Sequence, residues 1–233
     1  MAITNTGVSY DRSITNGMSY TLADFVVGAG TNRLLVVLVS LIRGNENGVT
    51  VSSVTFGGVG MTAGVEQTDT STSRSYYVGL WYLVNPSVST ANIVATTSNT
   101  MAGAIVAAVA LYGVDQTSPI HSSSVTSQTG DSITLGNGGD LSFFIVASNA
   151  NNNPTWTWTA DIGSVTEIYD LNNGVSDNGE IAGTAGWRTP ETGYVTATCS
   201  VTPPRTIGAW AGVRAATMTA MPIFRQPRTY IRM

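Results

Sequence analysis

The sequence predicts an all-β protein, a β-sandwich of jelly-roll type with roughly a dozen strands. Segments rich in Val, Ile, Thr, Tyr and Trp recur along the chain, and Gly, Asn, Asp, Ser and Pro separate them. About a dozen strands are more than one open sheet usually holds without splitting, so we expect two packed sheets. At 233 residues the chain suits one sandwich domain, predicted over 1–221, followed by an extended C-terminal arm over 222–233.

The clearest strand predictions lie in the first third of the chain. Residues 32–41, NRLLVVLVSL, form a nearly continuous apolar run, which predicts a central strand buried on both faces. The apolar run 51–56 ends at Gly57-Gly58, a pair that tolerates the positive φ angles of a tight turn, so a hairpin is predicted there. Further strands are predicted at 74–85, 91–97, 132–135, 141–147, 155–159, 165–169, 180–187, 194–201 and 206–219.

Residues 101–112, MAGAIVAAVALY, are compatible with either a helix or a strand. Alanine and the length favour a helix, whereas the β-branched Ile105, Val106 and Val109 and the absence of a preceding cap favour a buried strand. We predict the strand. No internal repeat of fixed period is evident in the sequence.

Charge is scarce and uneven. Only 10% of the residues are charged, against roughly 25% in an ordinary soluble domain, and every basic residue apart from one histidine is an arginine. The net charge of −4 argues against a general nucleic-acid-binding protein, which needs clustered cations. No apolar run is long enough to span a membrane, so no membrane contact is predicted. The N-terminus lacks the basic and apolar regions of a secretory signal, which predicts synthesis in a host cytoplasm.

The sequence shows no catalytic constellation. His121 is the only imidazole and is predicted to lie in a turn or at an edge, and Cys199 is the only thiol, predicted to be a buried apolar residue. One histidine and one cysteine cannot complete a zinc site without several carboxylates. We therefore predict no enzyme activity, no cofactor and no metal.

Two alternatives to that prediction rest on carboxylates. The segment 170–180, DLNNGVSDNGE, is rich in calcium-type ligands but lacks the spacing of a calcium-binding helix-loop-helix, and its two Asn-Gly pairs are better explained by turns. A glycosidase would need two carboxylates about 5 to 10 Å apart. Its candidates are Glu167, Asp170, Glu180 and Glu191.

A pair of tryptophans is the candidate carbohydrate site. Trp156 and Trp158 lie two residues apart in PTWTWTAD, so a strand would direct both indole rings to the same face. An exposed pair would stack on sugar rings, whereas a buried pair would form a wall of the core. The inward orientation is favoured because amphipathic strands more often bury large aromatic side chains.

The C-terminal arm, PIFRQPRTYIRM, is the candidate partner-binding segment. Pro222 and Pro227 each remove a backbone donor and oppose a regular central strand, which predicts an extended arm. Its arginines can form bidentate contacts with carboxylates of another subunit, while its apolar residues fill pockets between them. The alternative is a tail folded onto its own acidic body or left unordered. The predicted contact residues are Phe224, Arg225, Arg228, Tyr230 and Arg232.

Four segments together resemble a family of uncharacterised β-sandwich proteins from bacteriophage and bacterial genomes, which are often encoded beside virion or surface-protein genes. The segments are NRLLVVLVS at 32–40, SVTFGGVGMT at 53–62, GLWYLVNPS at 79–87 and YGVDQTSP at 112–119. The resemblance covers about residues 30–120. It implies a β-sandwich fold and no catalytic residues.

These observations predict a structural virion protein of a bacteriophage: a capsid decoration, head-fibre or tail-associated subunit. Its predicted partners are copies of itself, with a trimer favoured, and the major capsid or another virion protein. A carbohydrate-binding or host-adhesion module and a subunit of an extracellular filament are the alternatives. The predicted location is the virion.

Overall fold

The computed structural model describes residues 2–13, 17–43, 48–70, 74–136, 138–148, 154–172, 181–189, 193–201, 203 and 205–217. These residues form seventeen β-strands, all paired in the antiparallel sense, and no helix. The all-β fold class is confirmed. The strands are more numerous than the dozen expected, because residues 4–13, 17–27 and 120–128, for which no strand was predicted, are also paired.

The first half of the chain folds into two facing sheets. A five-stranded sheet, the first inner sheet, has the order β1-β9-β3-β7-β6, and a four-stranded sheet, the first outer sheet, has the order β2-β8-β4-β5. The strands are β1 (Thr4–Ser13), β2 (Gly17–Val27), β3 (Leu34–Arg43), β4 (Val51–Phe56), β5 (Val59–Gly60), β6 (Thr62–Asp69), β7 (Ser75–Val84), β8 (Ser89–Met101) and β9 (Gly103–Tyr112).

The second half also folds into two facing sheets. The second inner sheet has the order β10-β17-β12-β15-β14, and the three-stranded second outer sheet has the order β11-β16-β13. The strands are β10 (Ile120–Gln128), β11 (Ser132–Leu135), β12 (Leu141–Ser148), β13 (Trp156–Ala160), β14 (Thr166–Asn172), β15 (Ala182–Arg188), β16 (Val195–Cys199) and β17 (Thr206–Val213).

The two halves have the same topology. If the two-residue strand β5 is set aside, the eight strands of the first half correspond in order to the eight strands of the second half, and the strand orders of both sheets then coincide. This interleaving of two sheets is the double Greek key of a jelly roll. The structure therefore contains a duplicated jelly roll, which the search for a sequence repeat did not detect.

The two inner sheets stack face to face. Strand β6 packs on β10 and β17, β7 packs on β17 and β12, and β1 meets β14. This pairing relates the halves by an approximate two-fold axis parallel to the strands, so corresponding strands run in the same direction. Equivalent loops of both halves therefore lie at the same end of the molecule.

The largest apolar core lies between the inner sheets. Leu38 and Val109 of the first half and Phe143 and Ile145 of the second half belong to this one cluster. Separate clusters fill the space between each inner sheet and its outer sheet. The molecule is thus a stack of four sheets with three apolar layers, and the central layer belongs to both halves. The predicted domain 1–221 does not anticipate the duplication, although this shared core joins the halves into one stack.

Strand β3 is buried on both faces, as its sequence predicts. Every residue from Leu34 to Ile42 is buried. Even-numbered residues such as Leu38 face the central core and odd-numbered residues such as Val37 face the first outer sheet, because successive side chains of a strand point to opposite faces. The one polar side chain in this run, Ser40, forms a 3.1 Å hydrogen bond with the Tyr169 hydroxyl of the other half.

Two other local predictions are confirmed. Phe56 pairs with Val59 across Gly57 and Gly58, whose φ angles of 56° and 83° give the two positive values of a tight hairpin. The segment 101–112 is a strand and not a helix over 103–112, where β9 pairs with β1 and β3, whereas Met101 ends β8. Its small side chains suit a sheet covered on both faces, because they let the neighbouring layers approach.

An ion pair joins the halves at the end of the molecule where β6 and β10 finish. Asp69 of β6 is 7% exposed, and its Oδ2 accepts a 2.7 Å hydrogen bond from Arg205 Nε just before β17. The Ser127 hydroxyl of β10 donates to the same oxygen. A largely buried carboxylate is thereby held by two groups of the other half.

We predict that Arg205→Ala lowers the free energy of unfolding by about 3 kcal/mol, because it leaves a buried carboxylate without its cation. The double variant Asp69→Ala/Arg205→Ala should be more stable than Arg205→Ala, since no buried charge then remains. Urea denaturation of both variants and the wild type measures this. A double variant that is less stable than the single one would contradict the argument.

Burial also raises the pKa values of three tyrosines. It raises the pKa of Tyr20 to about 12, and it raises the pKa values of Tyr77 and Tyr169. In the unfolded chain these hydroxyls ionise near pH 10. Between pH 10 and 12 the unfolded chain therefore binds fewer protons than the folded chain, and stability falls as the pH rises.

We expect Tyr20, Tyr77 and Tyr169 to titrate only together with unfolding when the absorbance at 295 nm is followed from pH 9 to 13. Thermal melts over the same range should show stability that falls as the pH rises above 10. The variant Tyr20→Phe should lose less stability than the wild type between pH 10 and 12. Equal losses in the two proteins would show that Tyr20 does not contribute.

Candidate interaction site at one end of the molecule

One end of the stack, here called the apical end, carries three connections from each half. In the first half these are β2–β3, β4–β6 and β7–β8, and in the second half β11–β12, β13–β14 and β15–β16. The halves are joined here by an isolated bridge between Val114 and Ala215, which follow β9 and β17. The two-fold relation of the halves thus brings six loops to one surface.

Exposed apolar side chains are concentrated at this end. Of the nine large apolar side chains that are exposed in the described part of the chain, five lie on apical loops or strand ends, and each is more than half exposed. Both halves contribute at equivalent places, namely the turn after the fourth strand of each jelly roll and the loop before the seventh. The five residues are Val26, Val59, Val88, Ile162 and Tyr194.

An open cleft of about 320 Å³ lies at the apical end of the first half. Phe56 and Leu83 provide apolar walls, and Ser87 and Asn85 provide polar ones. Arg33 fixes the loops beside it: its guanidinium donates to Asn85 Oδ1 at 2.7 Å and to the Pro86 carbonyl at 2.8 Å. The Arg33 guanidinium thus holds the loops of the cleft in place.

A second apical cleft, here called the inter-half groove, has a volume of about 300 Å³ and lies between the halves. Its walls come from the start of β1 in the first half and from β12 and β15 in the second. The groove is mainly apolar, and of the described residues that line it Asp140 alone is charged. The lining residues are Ile3, Thr4, Asn5, Asp140, Leu141, Trp187 and Thr189.

Apical carboxylates mostly organise loops. Backbone N–H groups of Ser118 and Thr117 lower the pKa of the exposed Asp115. Asp161 accepts from the backbone N–H of Tyr194 at 3.0 Å and lies 3.7 Å from the buried Arg188 guanidinium. The lowered pKa keeps Asp115 ionised at neutral pH, so this residue gives the apical surface a fixed negative charge.

The predicted contact residues of the C-terminal arm, Phe224, Arg225, Arg228, Tyr230 and Arg232, lie outside the described residues. The structure does show where the chain leaves. The backbone N–H of Ala215 donates to Asp140 Oδ2 at 2.8 Å, and the described chain ends at Thr217. The described part of the chain therefore ends at the apical end, beside the inter-half groove.

The tryptophan pair lies in the core of the second half. Trp156 is 4% exposed, and Trp158 packs half-buried on the same cluster, with its ring centroid 6.0 Å from that of Phe144. The Trp158 indole N–H donates to Thr184 at 2.9 Å. Both rings face inward, as the favoured interpretation of the sequence predicts, so their position does not support a sugar-stacking platform. The glycan-binding role of this pair stays a prediction.

The other candidate reactive residues that the structure describes lie on several strands of the second half. His121 lies on the edge strand β10 and not in a turn, and Cys199 is a buried free thiol on β16, as predicted. The pKa of Glu167 is raised, mainly by burial and in addition by the nearby charge of Asp170. Glu180 and Glu191 lie outside the described residues. Within the described ranges no group of three His, Cys, Asp or Glu residues could hold a metal ion. The same ranges contain no helix long and apolar enough to cross a membrane.

Comparison of the chain with family models, with curated proteins and with solved structures gave no match. The resemblance of residues 30–120 to phage and bacterial β-sandwich proteins therefore stays a prediction.

Sequence reasoning missed the apical surface. Val59 follows the Gly57-Gly58 turn and Val88 follows Pro86, so both are apolar residues placed beside turn residues. An apolar side chain next to a turn is a weak signal of exposure. That Ile162 and Tyr194 occupy equivalent places emerges only from the duplicated topology.

We predict that Trp156→Ala lowers the free energy of unfolding by about 3 to 5 kcal/mol, because it removes a large buried ring from the core of the second half. Thr157→Ala is the matched control: this neighbour is exposed on the opposite face of β13, and its change should leave stability almost unaltered. Thermal melts measure both. An unchanged melting temperature in Trp156→Ala would contradict the core role.

Proposed function

We propose that the protein is a structural subunit of a bacteriophage particle, a capsid decoration, head-fibre or tail-associated protein that acts by self-association and by binding other virion proteins. The observation that supports this most directly is the apical end, where both halves expose apolar side chains and two clefts open. A concentrated apolar surface on a soluble chain is typical of an association site.

The architecture adds support of a weaker kind. Jelly rolls occur in viral capsid proteins and in lectins, and fold alone does not specify function. The low share of charged residues suits a chain whose surfaces are buried against neighbours. Adhesion needs no catalytic group. The one histidine and the one cysteine of the chain lie on different strands of the second half, β10 and β16.

A filament subunit is the second candidate, because β1 forms a long sheet edge. Among the described strands this ten-residue strand pairs with β9 alone, and its Val8 and Tyr10 side chains are 45% and 47% exposed. An edge of this kind offers unpaired backbone groups to a strand from another chain. Fibres that form from the purified chain with rising concentration would favour this function over a particle subunit.

The proposed function is tested by mass spectrometry of phage-like particles purified from the source host. A structural subunit should be present in many copies per particle and should withstand a high-salt wash less well than the shell itself. Absence of the chain from purified particles that contain a major capsid protein would overturn the proposal.

Self-association through the C-terminal arm gives a separate prediction. The full chain should form a homo-oligomer, with a trimer expected, and deletion of the residues after Met221 should weaken assembly while leaving the melting temperature nearly unchanged. Added salt should weaken assembly of the full chain, because arginine–carboxylate contacts between exposed groups are screened. Light scattering over a range of concentrations measures this. Equal assembly by the full and shortened chains would rule out the arm.

A further inference from the structure

We propose that the inter-half groove is the acceptor site for the C-terminal arm of a second copy of this chain. This inference rests on the proposed self-association and names the surface that mediates it. The groove, lined by Ile3, Leu141 and Trp187 with Asp140 at its side, is apolar with one negative charge.

The groove exists because the inner sheets are not packed equally along their two sides. On one side, β6 packs against both β10 and β17. On the other side, the main contact of β1 with the second half is with the single strand β14. The central layer therefore opens towards β1. Ile3 and Trp187 pack on the rim of the central core and stay half-exposed, so an apolar occupant would extend that core.

The composition of the arm matches the groove. The arm has Phe224, Tyr230 and Ile231 as apolar groups and three arginines with no acidic residue. Aromatic and aliphatic side chains fit the apolar floor, and a guanidinium can form a charge-assisted hydrogen bond with the Asp140 carboxylate. Among the described residues that line the groove, none is basic and could oppose such a contact.

Chain length favours a second copy over the same copy. The described chain ends at Thr217, two residues after the hydrogen bond between Ala215 and Asp140, so it leaves at the side of its own groove. In an extended arm, Phe224 lies roughly 23 to 25 Å from Thr217 and Arg232 roughly 50 Å away. Pro222 and Pro227 favour extended backbone and oppose a return to the starting point. The contact residues are therefore carried to a neighbour.

Point variants of the full chain test the acceptor site. Asp140→Asn keeps an oxygen that can accept from Ala215 and removes the charge, and Asn5→Arg adds a repelling cation to an exposed position of the groove. Ser87→Arg is the matched control, because it adds the same charge to the other apical cleft. All three sites are on the surface, so the melting temperature should change little.

Sedimentation velocity of the full-length chains should show that Asp140→Asn/Asn5→Arg weakens self-association about tenfold or more, as expected for the loss of one charge-assisted contact. Ser87→Arg should associate like the wild type. A synthetic peptide of residues 218–233, added in excess, should dissociate the wild-type oligomer and have less effect on what remains of the double variant's association.

The outcomes separate the two proposals. A wild-type chain that self-associates while the double variant and the peptide leave assembly unchanged would overturn the groove as acceptor but not the proposed function. A monomeric wild type would remove the self-association on which both rest. The last outcome concerns a chain that stays monomeric. If trypsin cleaves the Asn5→Arg variant after Arg225 and Arg228 but leaves the wild type uncut, the arm occupies its own groove. That result would overturn the proposal that the groove accepts the arm of a second copy.

Discussion

The structure depends on the packing of two five-stranded sheets against each other. Each inner sheet is covered on one face by its own outer sheet and on the other by the second half, so removing either half would expose the central core. This constraint explains why β3, β9, β12 and β17 carry apolar or small residues at nearly every position. A strand buried on one face would alternate apolar and polar residues.

The two-fold relation of the halves also makes the two ends of the molecule different. An axis parallel to the strands brings equivalent loops to the same end, whereas an axis across the strands would have distributed them over both ends. The apolar residues of the apical loops therefore lie at one end of the molecule, although each half contributes only two or three. A duplicated fold can in this way build a larger contact surface than a single jelly roll of the same sequence pattern.

Two sets of buried polar groups serve the same junction. Ser40 with Tyr169, and Asp69 with Arg205 and Ser127, each join one half to the other. A buried polar group without a partner costs free energy, so these contacts favour the observed alignment of the halves over a shifted one. Apolar packing supplies the attraction between the inner sheets, and the paired polar groups select their register.

The sequence by itself determined the local structure. Continuous apolar runs identified β3 as buried on both faces, Gly57-Gly58 identified a hairpin, and β-branched residues distinguished β9 from a helix. The period of two placed Trp156 and Trp158 on one face, but only the tertiary structure decided that this face is the core. It also decided the duplication, the stacking of the inner sheets and the apical clefts. Corresponding strands share only an apolar pattern, as LLVVLVSLIR in β3 and LSFFIVAS in β12 show, because a β-ladder is held by backbone hydrogen bonds that carry no side-chain signature.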